Sequence, residues 1–476
     1  MIKSNVKYYD HQKDAIAKTI KMNGVQALYH DPGCGKTLTA LAIFSHYKKL
    51  KPALKLIVVC PLSLIEDAWK GDIAKFSVMD FQNYRKYKPL KQTVADFDII
   101  VTNFEQLTSK KRRDHLFELT STGEWMCAID ESSKMKNPSS VTTKELLKLG
   151  GRFKHKILMS GTPMPNSELE LWAQMTFLEP SIFGKSFFAF RNIYFALQRG
   201  KEILEAPRNG KLISEMLRTG YKWSLRPEVR ESLLRRTEKY CDWVKKDEAL
   251  DLPAVLPDEI RHVDLSPKER KVYRDMAKHL VAELPDGEIM IAEVVMKKMH
   301  KLQQAASGFM YDEEGKAFKT SDGKSAKIKE LEQWIDERGG RPLIIWSIYR
   351  EEILHIEELL KNMKKSYRTL HGATKDKQGA ISGFREGDFQ ILVAHPKSAA
   401  HGITWVHCSH MMFYSFDYSY ETYEQCRARI DRIGQNQHCQ FSHILANDTI
   451  DDDKYAVVKG KQTLQDACQK IIRKWR

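Results

Sequence analysis

The stretch that most constrains this chain is His30-Asp31-Pro32-Gly33-Cys34-Gly35-Lys36-Thr37. It follows the strand-like run VQALYH (25–30) and opens into Leu38-Thr39-Ala40-Leu41-Ala42-Ile43, which reads as the start of a helix. A strand that turns through glycines into a helix gathers backbone N–H groups and the positive end of a helix around one anion. Lysine followed by threonine then supplies a cation for the outer phosphates and a hydroxyl for Mg²⁺. Gly33, Gly35, Lys36 and Thr37 are therefore a candidate site for ATP, with Thr37 a candidate Mg²⁺ ligand. His30 stands where the G-x-x-x-x-G-K-T pattern has its first glycine. A loop of this kind needs a strand ending beside a helix N-terminus, which points to a parallel α/β sheet.

The rest of the chain agrees. Short Val/Ile-rich runs recur at VQALYH (25–30), KLIVVCP (55–61), FDIIVTN (97–103), WMCAID (125–130) and HKILMSGT (155–162), with helix-length spacers. A second set follows position 340: RPLIIWS (341–347), YRTLHG (367–372), FQILVAHP (389–396), HMMFYSF (410–416) and QFSHILA (440–446). Such runs predict buried parallel strands, and hence two α/β domains. The expected division is residues 1–180, a mostly helical insertion and linker at 181–325, and residues 326–476. In the middle segment Ile291, Val295, Met299 and Leu302 predict one apolar helix stripe. Leu252-Pro253 and Leu256-Pro257 predict the crossing between the two domains.

Composition narrows the class. A length of 476 residues with 42% apolar and 10% aromatic residues excludes a disordered chain. No apolar run reaches the ~18 residues of a membrane span, and the first residues carry no secretory apolar core. A cytoplasmic protein with no membrane partner is expected. The eight cysteines never form C-x-x-C, so no zinc site is expected. The net charge of +15 suits an anionic partner such as nucleic acid without requiring one. Nothing calls for an obligate assembly, and the sequence is compatible with a monomer while leaving the oligomeric state open.

Two further constellations carry chemistry. The run WMCAI ends in Asp130-Glu131, an acidic pair at a strand's C-terminal end, where open α/β sheets bind their ligands. Asp130 is the candidate Mg²⁺ ligand and Glu131 the candidate base for an attacking water. Gln425, Arg429 and Arg432 stand at i, i+4 and i+7, predicting a shared helix face ended by Gly434. Two arginines aimed together suit a γ-phosphate, the arrangement of an arginine finger. Aromatic and basic residues interleave from Phe183 to Phe195; core packing is the expectation there, with a base-stacking platform or strand-separating wedge as the rival.

Together these elements resemble the superfamily 2 helicases, and among them the Swi/Snf-type DNA translocases of compact phage and bacterial type. His11-Gln12 matches the adenine-reading glutamine motif and Gly33–Thr37 motif I. Val59-Cys60-Pro61-Leu62-Ser63-Leu64, with Trp69 following, is similar to motif Ia, and Thr102-Asn103-Phe104-Glu105 to the next DNA-facing motif. Asp130-Glu131-Ser132-Ser133-Lys134-Met135-Lys136-Asn137 resembles motif II, and Ser160-Gly161-Thr162-Pro163, with Asn166 and Leu171-Trp172, motif III. In the second half His371-Gly372, the motif V segment with Gly402 and Thr404, Gln425–Gln435 (motif VI) and Thr449-Ile450-Asp451-Asp452 continue the pattern.

The resemblance implies two RecA-like lobes and an ATP-dependent DNA translocase or helicase with ATP and Mg²⁺ as cofactors. It implies that Gln12 reads adenine, that Pro61, Ser63, Thr102, Asn103, His371 and Gly402 touch DNA, and that Ser160, Gly161 and Thr162 couple hydrolysis to movement. The expected partner is duplex, forked or branched DNA in repair, recombination or replication, in host cytoplasm if phage-encoded. The alternatives are an RNA helicase, which the R-I-G-Q form of motif VI disfavours, and a nucleotide-switched nucleic-acid scaffold. The latter would have no need of Glu131, Arg429 and Arg432 together.

Overall fold

A computed structural model describes the whole chain except residues 87–96, 166, 200–201, 208, 219–220, 283–291, 313, 400–402 and 461–476. It divides into two compact units, Met1–Leu217 with Tyr221–Asp251, and Leu252–Arg476 with Arg218–Gly220.

The first unit holds β1 (Val25–His30), β2 (Lys55–Cys60), β3 (Phe81–Asn83), β4 (Ile99–Asn103), β5 (Trp125–Asp130), β6 (His155–Met159), β7 (Phe195–Arg199), β8 (Glu202–Leu204), β9 (Lys222–Leu225) and β10 (Cys241–Val244). Seven of these form one sheet in the order β10-β1-β6-β5-β2-β4-β3, parallel throughout. The other three form a small antiparallel sheet, β8-β7-β9.

Burial on both faces explains why the predicted strands are largely apolar along their length rather than at alternate positions only. In β2, Leu56, Val58 and Cys60 pack with Leu41, Ile43 and Phe44 of the helix Lys36–Leu50. Ile57 and Val59 face the other way, with Leu146 and Leu149 of Val141–Gly150 and Leu171 of Leu171–Leu178. Each such fully buried aliphatic side chain contributes about 1.5–3 kcal/mol, so the core between these layers dominates the unit's stability.

The second unit contains β11 (Glu259–Val263), β12 (Phe309–Tyr311), β13 (Ala317–Lys319), β14 (Leu343–Trp346), β15 (Tyr367–Leu370), β16 (Ile391–Ala394), β17 (His410–Phe413) and β18 (Gln440–Ala446). Six form a parallel sheet, β11-β18-β17-β14-β16-β15. Leu343 and Ile345 pack against Leu331, Trp334 and Ile335 on one face, while Ile344 and Trp346 join Phe384 and Tyr423 on the other. All ten apolar runs are strands, and the fold is two RecA-like parallel-sheet lobes.

The segment 181–325 differs from its expectation. The unit boundary falls inside it, at Asp251–Leu252 beside the first Leu-Pro pair. Its helices alternate with β7 to β13, two of which complete the large sheets: β10 lies at one edge of the first, and β11 at one edge of the second. Edge strands satisfy one neighbour only and tolerate charge, so CDWV and EIRHV lack the apolar signature of a central strand. Of the predicted helix stripe, Met299 and Leu302 are buried in the helix Ala292–Ala306, while Ile291 lies outside the described residues.

His443 of β18 is fully buried, stacked on Phe413 (centroids 5.0 Å apart, 10° between planes), with Nε2 3.0 Å from the Tyr423 hydroxyl. Burial pushes its pKa down from 6.5 to about 3. The unfolded chain therefore takes up this proton first, so the stabilisation is complete above about pH 6.5 and is lost as pH falls toward the folded value. Urea unfolding at about pH 7.5 and about pH 5 is expected to show a loss on the order of 2 kcal/mol, at ~1.4 kcal/mol per pKa unit. His443→Gln should flatten this dependence.

Candidate active site

Because the first sheet is parallel, the C-terminal ends of β1, β6, β5, β2 and β4 share one edge, and the predicted motifs leave from those ends. The loop after β1 turns through Gly33 (φ +95°) and Gly35 (φ +76°), left-handed conformations suited to glycine. Gly35 precedes the helix Lys36–Leu50, which starts with Lys36 and Thr37. The Lys36 ammonium donates to the carbonyls of His30 (2.7 Å) and Asp31 (3.2 Å), within its own loop.

The helix Asp10–Lys21 braces that loop. Gln12 is buried; its amide nitrogen donates to the Gly35 carbonyl at 3.3 Å, and its Oε1 accepts from the Tyr9 N–H at 3.0 Å. His11 Nε2 lies 2.9 Å from the Cys34 carbonyl. Gln12, Gly33, Gly35, Lys36 and Thr37 are thus gathered at one place.

At the end of β5, Asp130 is buried. Its Oδ2 accepts from the Trp69 indole N–H (3.0 Å) and its Oδ1 from the Glu131 backbone N–H (3.1 Å). Burial raises the Asp130 pKa, while the Lys36 charge and the two donors draw it down. That places Asp130 and Lys36 within electrostatic reach of each other. Glu131 adopts φ +56°, left-handed for a non-glycine residue, turning the chain sharply out of the strand. Such a conformation costs on the order of 1–3 kcal/mol and is typical of functional sites.

Motif III joins the same assembly. A Cβ on Gly161 would stand 2.7 Å from Pro32 Cδ, so only glycine lets this segment lie against the phosphate loop. The Ser160 N–H donates to the Leu28 carbonyl (3.2 Å), and its hydroxyl accepts from the Thr162 N–H (3.2 Å). Sequence reasoning passed over Gln174, which ties motifs II and III to β1. Its Oε1 accepts from Ser132 (2.7 Å) and Tyr29 (3.0 Å), and its nitrogen donates to the Pro163 carbonyl (2.8 Å). A polar residue inside the apolar run LWAQMTFL was the available signal.

Asp242 of β10 was also missed. It accepts from His30 Nε2 (2.8 Å) and from Lys18 (3.3 Å), linking the phosphate loop to the Gln12 helix. The Lys246 N–H donates to the Asp31 carboxylate at 3.0 Å. His30 is fully buried, and burial lowers its pKa against the opposing pull of Asp242, leaving a neutral donor where the motif's first glycine is absent.

Four of the proposed DNA-facing residues, Pro61, Ser63, Thr102 and Asn103, sit along the same edge. Cys60, just before Pro61, pairs with Asn103, and Val59 with Thr102. Pro61 is buried and Ser63 half-buried. Thr102 and Asn103 are buried as well, and the Thr102 hydroxyl and Asn103 Oδ1 have no hydrogen-bond partner among the described residues.

In the second unit the expected helix face is not found. The helix Tyr420–Arg427 stops before Arg429, and Arg429 and Arg432 lie in the turns that follow. The reason is a partner distant in sequence: the Arg429 backbone carbonyl accepts from the Trp405 N–H at 2.9 Å, a bond that a continuing helix would not leave it free to make. Arg429 and Arg432 still converge, since both donate to the Ile403 carbonyl, at 2.9 and 3.2 Å, and Arg429 Nε donates to the Gln425 carbonyl at 2.8 Å. The Gln435 amide closes the loop through the carbonyls of Cys408 (2.9 Å) and Ile430 (3.2 Å). His371 is half-buried in the turn after β15, and its N–H donates to the Thr374 hydroxyl at 3.0 Å. Gly402 and Asn166 lie outside the described residues.

Comparison with known proteins identifies the family. Residues 11–311 match the SNF2-related domain, and residues 326–434 the helicase conserved C-terminal domain. The chain belongs to the SNF2-related family. It is a Swi/Snf-type superfamily 2 enzyme carrying both the SNF2-related domain and the C-terminal domain of an ATP-dependent helicase. It is 26% identical over 461 residues to putative protein p41 of Acyrthosiphon pisum secondary endosymbiont phage 1, covering 91% of this chain and 92% of that protein. It is 23% identical over 450 residues to the putative ATP-dependent helicase/translocase YwqA of Bacillus subtilis, covering 92% of this chain but 46% of YwqA. The Sulfolobus solfataricus SWI2/SNF2 ATPase core in complex with dsDNA is 20% identical, covering 96% of this chain and 92% of that one, with a TM-score of 0.43.

Asp242→Ala removes the acceptor shared by His30 and Lys18. It is expected to cost about 1–3 kcal/mol of stability, the usual penalty for an orphaned buried donor. Urea unfolding measures that loss, and a raised KM for ATP in steady-state assays would show the loosened phosphate loop.

Proposed function

We propose that the chain moves along duplex DNA by hydrolysing ATP, with the motor residues in the following roles. Lys36 leaves its loop carbonyls for the β- and γ-phosphates, and the Gly33–Gly35 backbone and the following helix N-terminus cradle them. Gln12 holds the adenine. Thr37 and Asp130 suit Mg²⁺, one offering a hydroxyl and the other a buried carboxylate that the Trp69 and Glu131 donors hold in place; the ion would neutralise phosphate charge. Glu131 takes the proton of the attacking water. Arg429 and Arg432, with Gln425, are assigned to the γ-phosphate as finger residues.

Ser160, Gly161 and Thr162 report the state of the phosphates, since Gly161 abuts the Pro32 of their loop. Pro61, Ser63, Thr102, Asn103, His371 and Gly402 are assigned to the DNA backbone, which gives grip without sequence reading. The observation carrying this reading is the convergence of Lys36, Asp130 and Gly161 at one strand edge, with Thr102 and Asn103 further along it. Forked or branched DNA, in repair, recombination or replication within host cytoplasm, is the proposed setting; among the described residues no helix is long and apolar enough to cross a membrane.

Steady-state ATPase with no nucleic acid, duplex, single-stranded and forked DNA, and RNA tests this. Duplex or fork should stimulate turnover strongly, with the stimulation falling as salt rises. Lys36→Ala should lower turnover by on the order of 10²-fold or more, the scale of losing one preorganised charge contact. Glu131→Gln should retain ATP while bound to DNA, seen as filter-retained labelled nucleotide. Normal hydrolysis by that variant would reassign the base, and stimulation by RNA alone would overturn the DNA reading.

A further inference from the structure

The helix Phe187–Tyr194 divides its rings between core and solvent. Phe190 and Tyr194 are buried, with centroids 4.7 and 5.6 Å from that of Phe183. Phe187 meets Trp172 edge-on at 5.5 Å. Those rings fulfil the core-packing expectation, and Phe188 does not: it is 66% exposed, and Ile193 on the same helix is 58% exposed. Leaving a phenylalanine in water forgoes roughly 1.5–3 kcal/mol of burial, so folding alone does not account for the residue there.

Arg191 backs the exposed ring. Its guanidinium lies 5.2 Å from the Phe188 centroid and 4.2 Å from that of Trp223 on β9, so one cation spans a helix ring and a sheet ring. The surrounding sequence is strongly basic. Residues 185–226 contain nine Lys or Arg and three Asp or Glu, a surplus of six within a chain total of fifteen. Two of the three acids are engaged, Glu205 with Arg226 and Glu202 with Tyr221 and Arg199.

We propose that Phe188, supported by Arg191 and Trp223, is a stacking platform for an unpaired base of single-stranded DNA at a fork or flap. The chemistry is complementary on both counts. A free aromatic face stacks any base without regard to sequence, and the basic surplus attracts the phosphates on either side. The platform sits on a helix that precedes the antiparallel extension of the first unit and touches the motif III segment through Phe187 and Trp172. It deepens the DNA-motor reading by naming the strand end such a motor would hold, and it rests on that reading for its substrate class.

The test uses the full chain and fluorescence anisotropy with two labelled substrates, a blunt duplex and the same duplex carrying a single-stranded arm. Phe188→Leu should reduce the preference for the armed substrate about tenfold, within the usual worth of one base–aromatic stack. Phe188→Trp should retain it. A 2-aminopurine placed in the arm should be quenched on binding the wild type and less so on binding Phe188→Leu. An unchanged armed-to-blunt ratio, or an equal loss on both substrates, would overturn the platform. So would unchanged arm binding together with a self-association that Phe188→Leu abolishes, since a second copy would then cover the ring. Duplex-stimulated ATPase of the wild type, measured alongside, reports on the motor reading by itself.

Discussion

The parallel register of the first sheet is the constraint on which the site depends. Five neighbouring strands, β1, β6, β5, β2 and β4, run in one direction, so every chain segment leaving a C-terminal end emerges on one edge. The phosphate loop, Asp130, the Gly161 segment, Pro61 and Asn103 are neighbours for that reason. They are scattered over more than a hundred residues of sequence, and no local interaction would bring them together. The cost of the arrangement is burial on both faces, which the alternating aliphatic residues of β2 and its neighbours meet by packing against helices above and below.

Within that frame, buried polar groups fix the details. Gln174 joins Ser132, Tyr29 and Pro163, so motifs II and III share one amide. Asp242 joins His30 and Lys18, so the phosphate loop and the Gln12 helix share one carboxylate. In a low-dielectric interior such groups are costly unless satisfied, and satisfied ones hold a single geometry. Asp242 lies on β10, the last strand before the crossing at Asp251–Leu252. The phosphate loop is thus bonded to the strand and the turn that precede that crossing, through His30 and through the Asp31–Lys246 bond.

Much of this was legible in the sequence. Parallel strands buried on both faces are largely apolar, so all ten, the edge strand β15 included, were visible as runs, and glycines with lysine and threonine mark a phosphate loop wherever they occur after a strand. The strands that escaped notice, β3, β7 to β13 among them, are short, lie at edges or form small antiparallel pairs. They carry residues such as Asp242, Glu259 and Arg261, which break up the apolar runs by which the other strands were visible. The Gln425–Arg432 spacing misled because helical periodicity says which residues would share a face if the helix continued. It contains nothing about the Trp405 N–H that draws the Arg429 carbonyl into a turn.

The sequence by itself determined the class of the protein: two parallel-sheet lobes, a nucleotide loop, an acidic pair, and the motif order of a Swi/Snf-type motor. These are local properties, written in burial, backbone freedom and charge over a few residues at a time. Tertiary structure alone decided the contacts that join distant segments. Asp242 reaches His30 across 212 positions, Trp69 reaches Asp130 across 61, and Gly161 lies against Pro32. It also decided which aromatic residues of one helix enter the core and which one, Phe188, stays in water. A residue type states what a side chain can bond to, and only the folded sheet brings the partner within reach.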